Sequence, residues 1–270
     1  MLGRSILMAF SLFSIIPTPK VEWDEGNMRH VLAVFPLVGL VEAVLLGVWL
    51  WLCASLGFDR IIGALGVMLI PLVFTGGIHL DGFADTVDAL SSHAEPARKR
   101  EILKDPHIGA FAAIGVAAYL IVFFAVATQL PYGTWGLGPG SASWMILLIP
   151  VIARTMSGIV SLVMPGRTDV AEDGEAPGLL AMFRSGTDKK GALVVLVAIL
   201  VVLLDLAGML AGWGYLVAVI VVVGLLTLWL VHMFKREFGG ISGDLSGFYL
   251  QVIEVALLVV ATVFAGVAIV

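Results

Sequence analysis

Asp81, Asp85 and Asp88 lie in the run Thr75-Gly-Gly-Ile-His-Leu-Asp-Gly-Phe-Ala-Asp-Thr-Val-Asp88, at the end of a long apolar stretch. On a helix advancing about 100° per residue, positions i, i+4 and i+7 fall within roughly 60° of one another. Three carboxylates on one stripe repel, and beside a membrane they are also poorly solvated. A cation among them relieves both costs, and Mg²⁺ is the natural candidate because it takes hard oxygen ligands. A solvated helix end would also tolerate the acids, yet it needs neither this spacing nor the preceding Gly76-Gly77. Glycines there allow close backbone approach to a neighbouring helix or a phosphate. His79 reads either as a ligand or as a hydrogen-bonded structural histidine beside an apolar run.

Further polar groups share the chain with this stripe. In Lys104-Asp105-Pro106-His107-Ile108-Gly109, Asp105 is expected to cap the following helix with Pro106 at its first position. The functional alternative makes Asp105 a metal or hydroxyl partner and Lys104 a phosphate contact. In Lys235-Arg236-Glu237-Phe238-Gly239-Gly240-Ile241-Ser242-Gly243-Asp244, two cations, a glycine-rich turn, a hydroxyl and an acid suit phosphate binding. Glu42, Arg154, Asp205 and Glu254 fall within apolar stretches. An ionised group at mid-membrane costs about 2.5–3.5 kcal/mol on insertion scales, so each is expected to be buried or paired. Arg154 reads as a clamp for an anionic substrate group or as a structural partner of Glu42 or Glu254. Asp205 reads as structural.

The elements that must position these residues are membrane helices. The chain has 270 residues, 60% hydrophobic and 13% charged, with a mean hydropathy of +1.07. Soluble domains carry about 25% charged residues. A bilayer core of about 30 Å needs roughly 20 apolar residues in a helix. Stretches 33–56, 61–80, 109–128, 144–163, 191–211, 215–233 and 252–270 qualify as seven spans of an all-α polytopic bundle forming one domain, 1–270. The stretch 3–16 is expected to be an interfacial or re-entrant helix closed by Pro17 and Pro19; it lacks a small-residue cleavage site. Glu95–Lys104 suits a short surface helix, and Gly133–Gly140 a tight external turn. Lys and Arg collect at 20–29, 98–104, 167–190 and 235–236, while the alternate connections are poor in them. The positive-inside rule then places the N-terminus and the motifs on the cytoplasmic side and the C-terminus outside. The single cysteine, Cys53, excludes a disulfide framework, and no basic tract with interleaved aromatics points to nucleic acid.

Together these stretches resemble the cobalamin synthase family, adenosylcobinamide-GDP ribazoletransferase. Its Thr-Gly-Gly-x-His-x-Asp-Gly-x-Ala-Asp-x-x-Asp run is matched from Thr75 to Asp88. Phe35–Gly39, Glu101–Asp105 with Ile108-Gly109, Arg154, the Gly239–Asp244 turn and Glu254 match in order along nearly the whole chain. Three departures stand out. Pro106-His107 replaces a usual Ser-Arg, Gln251 stands where an acid is frequent, and Ala171–Gly178 replaces an Ala-Arg-x-Glu-Gly-Leu-Gly loop. The last change removes an arginine that would otherwise be carried over as a substrate contact.

The resemblance implies a multi-pass enzyme of the prokaryotic cytoplasmic membrane, compatible with a homo-oligomer. It implies that adenosylcobinamide-GDP meets α-ribazole or its phosphate, a phosphodiester forms and GMP leaves. Asp81, Asp85 and Asp88 would hold Mg²⁺ against the diphosphate. A carboxylate of that cluster or Asp105 would take the hydroxyl proton. Lys104, Arg154, Lys235 and Arg236 would neutralise phosphate oxygens, with Gly76, Gly77, His79, Ser242 and Asp244 lining the site. A CDP-alcohol phosphotransferase would instead open Asp-Gly-x-x-Ala-Arg, whereas Ala84 here is followed by Asp85. An ion-coupled transporter would place acids near the midplane, and a bare structural anchor would need no polar clusters.

Overall fold

The computed structural model describes residues 2–133, 136–138, 141–166 and 179–267. Part of the Gly133–Gly140 turn, Arg167 and the altered loop at 171–178 lie outside them. Twelve α-helices are present among the described residues. Helix α1 (Leu2–Phe13) stops before the prolines, and a single turn, α2 (Glu25–Met28), is capped by the Asp24 side chain. Helix α3 (Val31–Leu56) closes on Gly57, and Asp59 then caps α4 (Arg60–Phe74) by accepting from the Ile61 and Ile62 amides. The chain continues through α5 (Ile78–Ser91), α6 (Pro96–Ile102), α7 (Ala110–Ala127), α8 (Ala142–Val163) and α9 (Leu179–Gly186). Helix α10 (Lys189–Leu206) runs into a π-helical turn, Ala207–Ala211, before α11 (Trp213–Phe238) and α12 (Gly243–Val267).

Six of these helices are long and apolar enough to cross a bilayer, and α4 with α5 forms a further pair bent by 91°. The expected straight span at 61–80 is therefore a corner. Its cause is local: Gly76 and Gly77 adopt φ of 63° and 79°, a left-handed conformation that side chains resist. The Gly77 amide still reaches Leu72 O at 3.0 Å, so α4 is closed off and α5 starts afresh in a new direction.

The bundle has an inner and an outer set. Helix α8 is largely buried inside the bundle, whereas most of α7 is exposed on its outer surface, so α8 is a core helix and α7 a peripheral one. Helices α3, α5, α8 and α12 pack on one another, with α7, α10 and α11 outside. Helix α1 is 12 residues long, too short for a span. It packs on α3, and the Ile15 amide just beyond it donates to Phe74 O at 2.8 Å, which ties the N-terminal segment to the corner.

Candidate active site

The corner fixes where the aspartates go. Asp81 falls in the first turn of α5, and Asp85 and Asp88 follow on later turns of the same helix. Helix α12 lies against α5 at close range. A Cβ on Gly82 would come within 2.7 Å of the Asp244 backbone, and one on Gly247 within 3.0 Å of the His79 backbone. Phe83 stacks on Phe248 with centroids 5.2 Å apart, closing the same contact. This approach carries Asp244, in the first turn of α12, into the electrostatic neighbourhood of Asp85 together with Asp81 and Asp88. The turn before α12 is anchored from two sides. Ile241 N donates to Pro165 O at 3.0 Å, and Ser242 Oγ accepts from Leu245 N while donating to Asp244 Oδ2.

A cavity of about 390 Å³ opens beside this acidic group. Asp81, Lys104, Ser242 and Asp244 form its polar wall. Ser157, Ser161 and Ser246 line it as well, but their hydroxyls are already engaged with one another and with backbone carbonyls. The remaining wall is mainly apolar: Phe13 of α1, Phe35 of α3, His79 of α5 and Phe183 of α9 supply rings, and Leu32, Ile78, Leu179 and Leu180 supply aliphatic surface. His79 is buried, stacks on Phe13 at 5.9 Å, and its Nε2 has no hydrogen-bond partner.

Several expected site residues are placed elsewhere. The Asp88 carboxylate sits against Gly109 and accepts from Ala112 N at 3.4 Å, so it faces the start of α7. Asp105 does not cap α7, which begins at Ala110 after Gly109. It instead accepts from the His107 backbone and ring nitrogen at 3.0 and 2.7 Å, closing an Asx-type turn around Pro106. Those hydrogen bonds hold its exposed carboxyl below the usual carboxylate range, which weakens it as a proton acceptor. Arg154 is completely buried and bonded to Glu42 at 2.5 Å and Glu254 at 3.1 Å. The structural alternative thus describes its surroundings, and it does not line the cavity. Arg236 pairs with Glu237, which also bonds the buried Lys99 and so ties α6 to α11; Lys235 is exposed. Neither cation of that pair lines the cavity.

Among the described residues, no three His, Cys, Asp or Glu side chains converge into a group able to hold a metal. The donor chemistry nonetheless fits a hard dication, because Asp81 and Asp244 border the cavity from facing helices and Asp85 lies in their field. Asp244 was legible as a phosphate-turn residue, but its partnership with the stripe was not. Nor were Ser157, Ser161, Ser246, Phe13, Phe35 and Phe183, which come from five distant segments.

A family model described as Cobalamin-5-phosphate synthase matches residues 5–262. An adenosylcobinamide-GDP ribazoletransferase of Clostridium perfringens (strain SM101 / Type A) is 33% identical over 254 residues, covering 93% of this chain and 94% of the relative. One of the same name from Lachnoclostridium phytofermentans is 35% identical, over 92% of this chain and 88% of the relative. A third, from Corynebacterium efficiens, is 32% identical over 91% and 86%. No solved structure matches the chain. The motif run from Thr75 to Asp88, the acidic cavity it borders and the extent of these matches agree: the chain belongs to the cobalamin-5-phosphate synthase family.

Proposed function

We propose that this protein is an Mg²⁺-dependent adenosylcobinamide-GDP ribazoletransferase, joining adenosylcobinamide-GDP to α-ribazole or its phosphate with release of GMP. The observation that carries this reading is the cavity wall itself. Two carboxylates from facing helices, Asp81 and Asp244, stand with Lys104 and the Ser242 hydroxyl around one space. The family membership sets aside the CDP-alcohol phosphotransferase and transporter readings.

In the reaction, a ribazole hydroxyl oxygen bonds to the phosphorus that carries cobinamide. The bond from that phosphorus to the bridging oxygen breaks, and GMP departs with the electron pair. A carboxylate of the acidic group that is not committed to the metal receives the hydroxyl proton, and Asp105 is left to hold its loop. Lys104 and Ser242 face the phosphate oxygens. Asp81 and Asp244 would hold Mg²⁺, with Asp85 beside them in the same acidic group, and the ion would supply neutralisation of charge on the diphosphate. Asp88 then serves to position α7. The bilayer setting limits water, the competing nucleophile. We place the cavity on the cytoplasmic face of the cytoplasmic membrane and the C-terminus outside, on the distribution of Lys and Arg.

Protein reconstituted in lipid with adenosylcobinamide-GDP, α-ribazole phosphate and Mg²⁺ should release GMP in step with a cobalamin product, and chelation of divalent ions should stop it. Absence of GMP under these conditions sinks the reading. Replacing ribazole phosphate by free ribazole fixes which nucleophile is preferred.

A further inference from the structure

The aromatic part of the cavity wall has no task in the chemistry above. Phe13, Phe35 and His79 come from three different helices and touch one another, with ring centroids 4.5, 5.9 and 5.8 Å apart. Phe183 adds a fourth ring from α9 and is itself backed by Trp23 at 6.1 Å. The first turn of α5 supplies both His79 and Asp81, so this aromatic wall adjoins the acidic one. Resting on the function proposed above, we propose that this wall seats the base of the ribazole substrate and that His79 Nε2 donates to its free ring nitrogen.

Three arguments select this occupant. The first is size. At about 390 Å³ the cavity lies near the lower end of ligand sites, which run from roughly 300 to 1,000 Å³. A benzimidazole riboside suits such a space, whereas a corrin ring with its nucleotide arm is several times larger and must remain mostly outside. The second is polarity. A guanine edge presents several donors and acceptors, and leaving them unpaired in an apolar pocket is costly. The aromatic wall offers it little, since Ser157, Ser161 and Ser246 are internally bonded. A benzimidazole riboside has one uncommitted ring nitrogen, an acceptor. His79 has one buried ring nitrogen without a partner. The third is shape. A flat bicycle gains from offset and edge contacts with several rings, and four rings from four helices line the apolar part of the space beside aliphatic side chains such as Leu32 and Leu180.

The test measures KM separately for the two substrates in lipid. The wild-type enzyme should show a KM about tenfold higher for an indole riboside, which lacks the accepting nitrogen, as expected for one neutral hydrogen bond. His79→Leu should erase that preference, with the two ribosides converging on the higher KM. Phe35→Leu and Phe13→Leu should raise the KM for both ribosides about fivefold while that for adenosylcobinamide-GDP stays within about twofold. Thermal unfolding in detergent identifies folded variants, and the riboside comparison on wild-type protein needs no variant at all. Equal KM values for the two ribosides in the wild type overturn the proposal, as do folded Phe variants whose shift falls on adenosylcobinamide-GDP. Either result would leave GMP release intact and so spare the reaction assigned above. Failure of the wild type to release GMP with any riboside removes both.

Discussion

At the scale of single residues, sequence spacing alone isolates the acidic stripe, because i, i+4 and i+7 share a helix face whatever surrounds them. What each carboxylate touches is set by neighbours far away in sequence. Asp81 borders the cavity, whereas Asp88 meets Gly109 and the Ala112 amide. Asp81→Asn should therefore abolish GMP release with membrane insertion unchanged, and Asp88→Asn should retain at least about tenfold more activity than Asp81→Asn, as a positioning role allows. Equal loss in both would return Asp88 to the metal site. Arg154 makes a different point. Its position within an apolar stretch announced a paired charge, but only the fold reveals that two glutamates, on α3 and α12, share it. Removing the cation leaves buried carboxylates uncompensated, so Arg154→Ala should destabilise by about 3–5 kcal/mol. Lowered detergent stability before any specific change in substrate KM is the expected sign; a stable variant with a raised KM would reinstate the clamp.

At the scale of elements, hydropathy located the spans well, since length and apolar content determine what a bilayer accepts. The corner between α4 and α5 escaped it, because a window average is blind to two glycines with positive φ. The short α6 was legible from its alternating charge, but the capping role assigned to Asp105 was not correct. Pro106 sits inside an Asx-type turn there, and α7 starts only at Ala110. The α5–α12 contact was invisible as well, although both glycines that allow it stand in plain view. Gly82→Leu would drive a side chain into the Asp244 backbone and push the two acidic turns apart. Activity should fall by more than about a hundredfold, since small misplacements at a reacting centre are this costly. Gly224→Leu, at a position where a Cβ meets nothing within 4 Å, is the control and should behave as wild type.

At the scale of the whole molecule, the all-α membrane bundle follows from composition, but the cavity does not. It is assembled from α1, α3, α5, α8, α9, α12 and the loop after α6 that carries Lys104, and no local pattern records that seven segments converge. Membrane sidedness is testable from the same architecture. Only three residues separate α3 from α4, so the two form a hairpin, and counting the bent pair as one span gives seven crossings. An odd number puts the termini on opposite sides. With Cys53→Ser as background, a cysteine at Leu2 should be protected from an impermeant maleimide in intact cells, and one at Gly266 should be labelled. Labelling on one side only for both positions would mean that α4 and α5 dip into the membrane and return.

Helix α4 has 15 residues, about 22 Å at 1.5 Å per residue, whereas the hydrocarbon layer is about 30 Å thick. Ile61, Leu65, Leu69 and Val73 are exposed along it, an apolar stripe suited to acyl chains. Lipids beside this one short strut must compress or let headgroups sink toward Gly76 and Gly77. Turnover should accordingly be fastest in vesicles of short-chain phosphatidylcholine and slow steadily as the chains lengthen, tuning the reaction by membrane thickness.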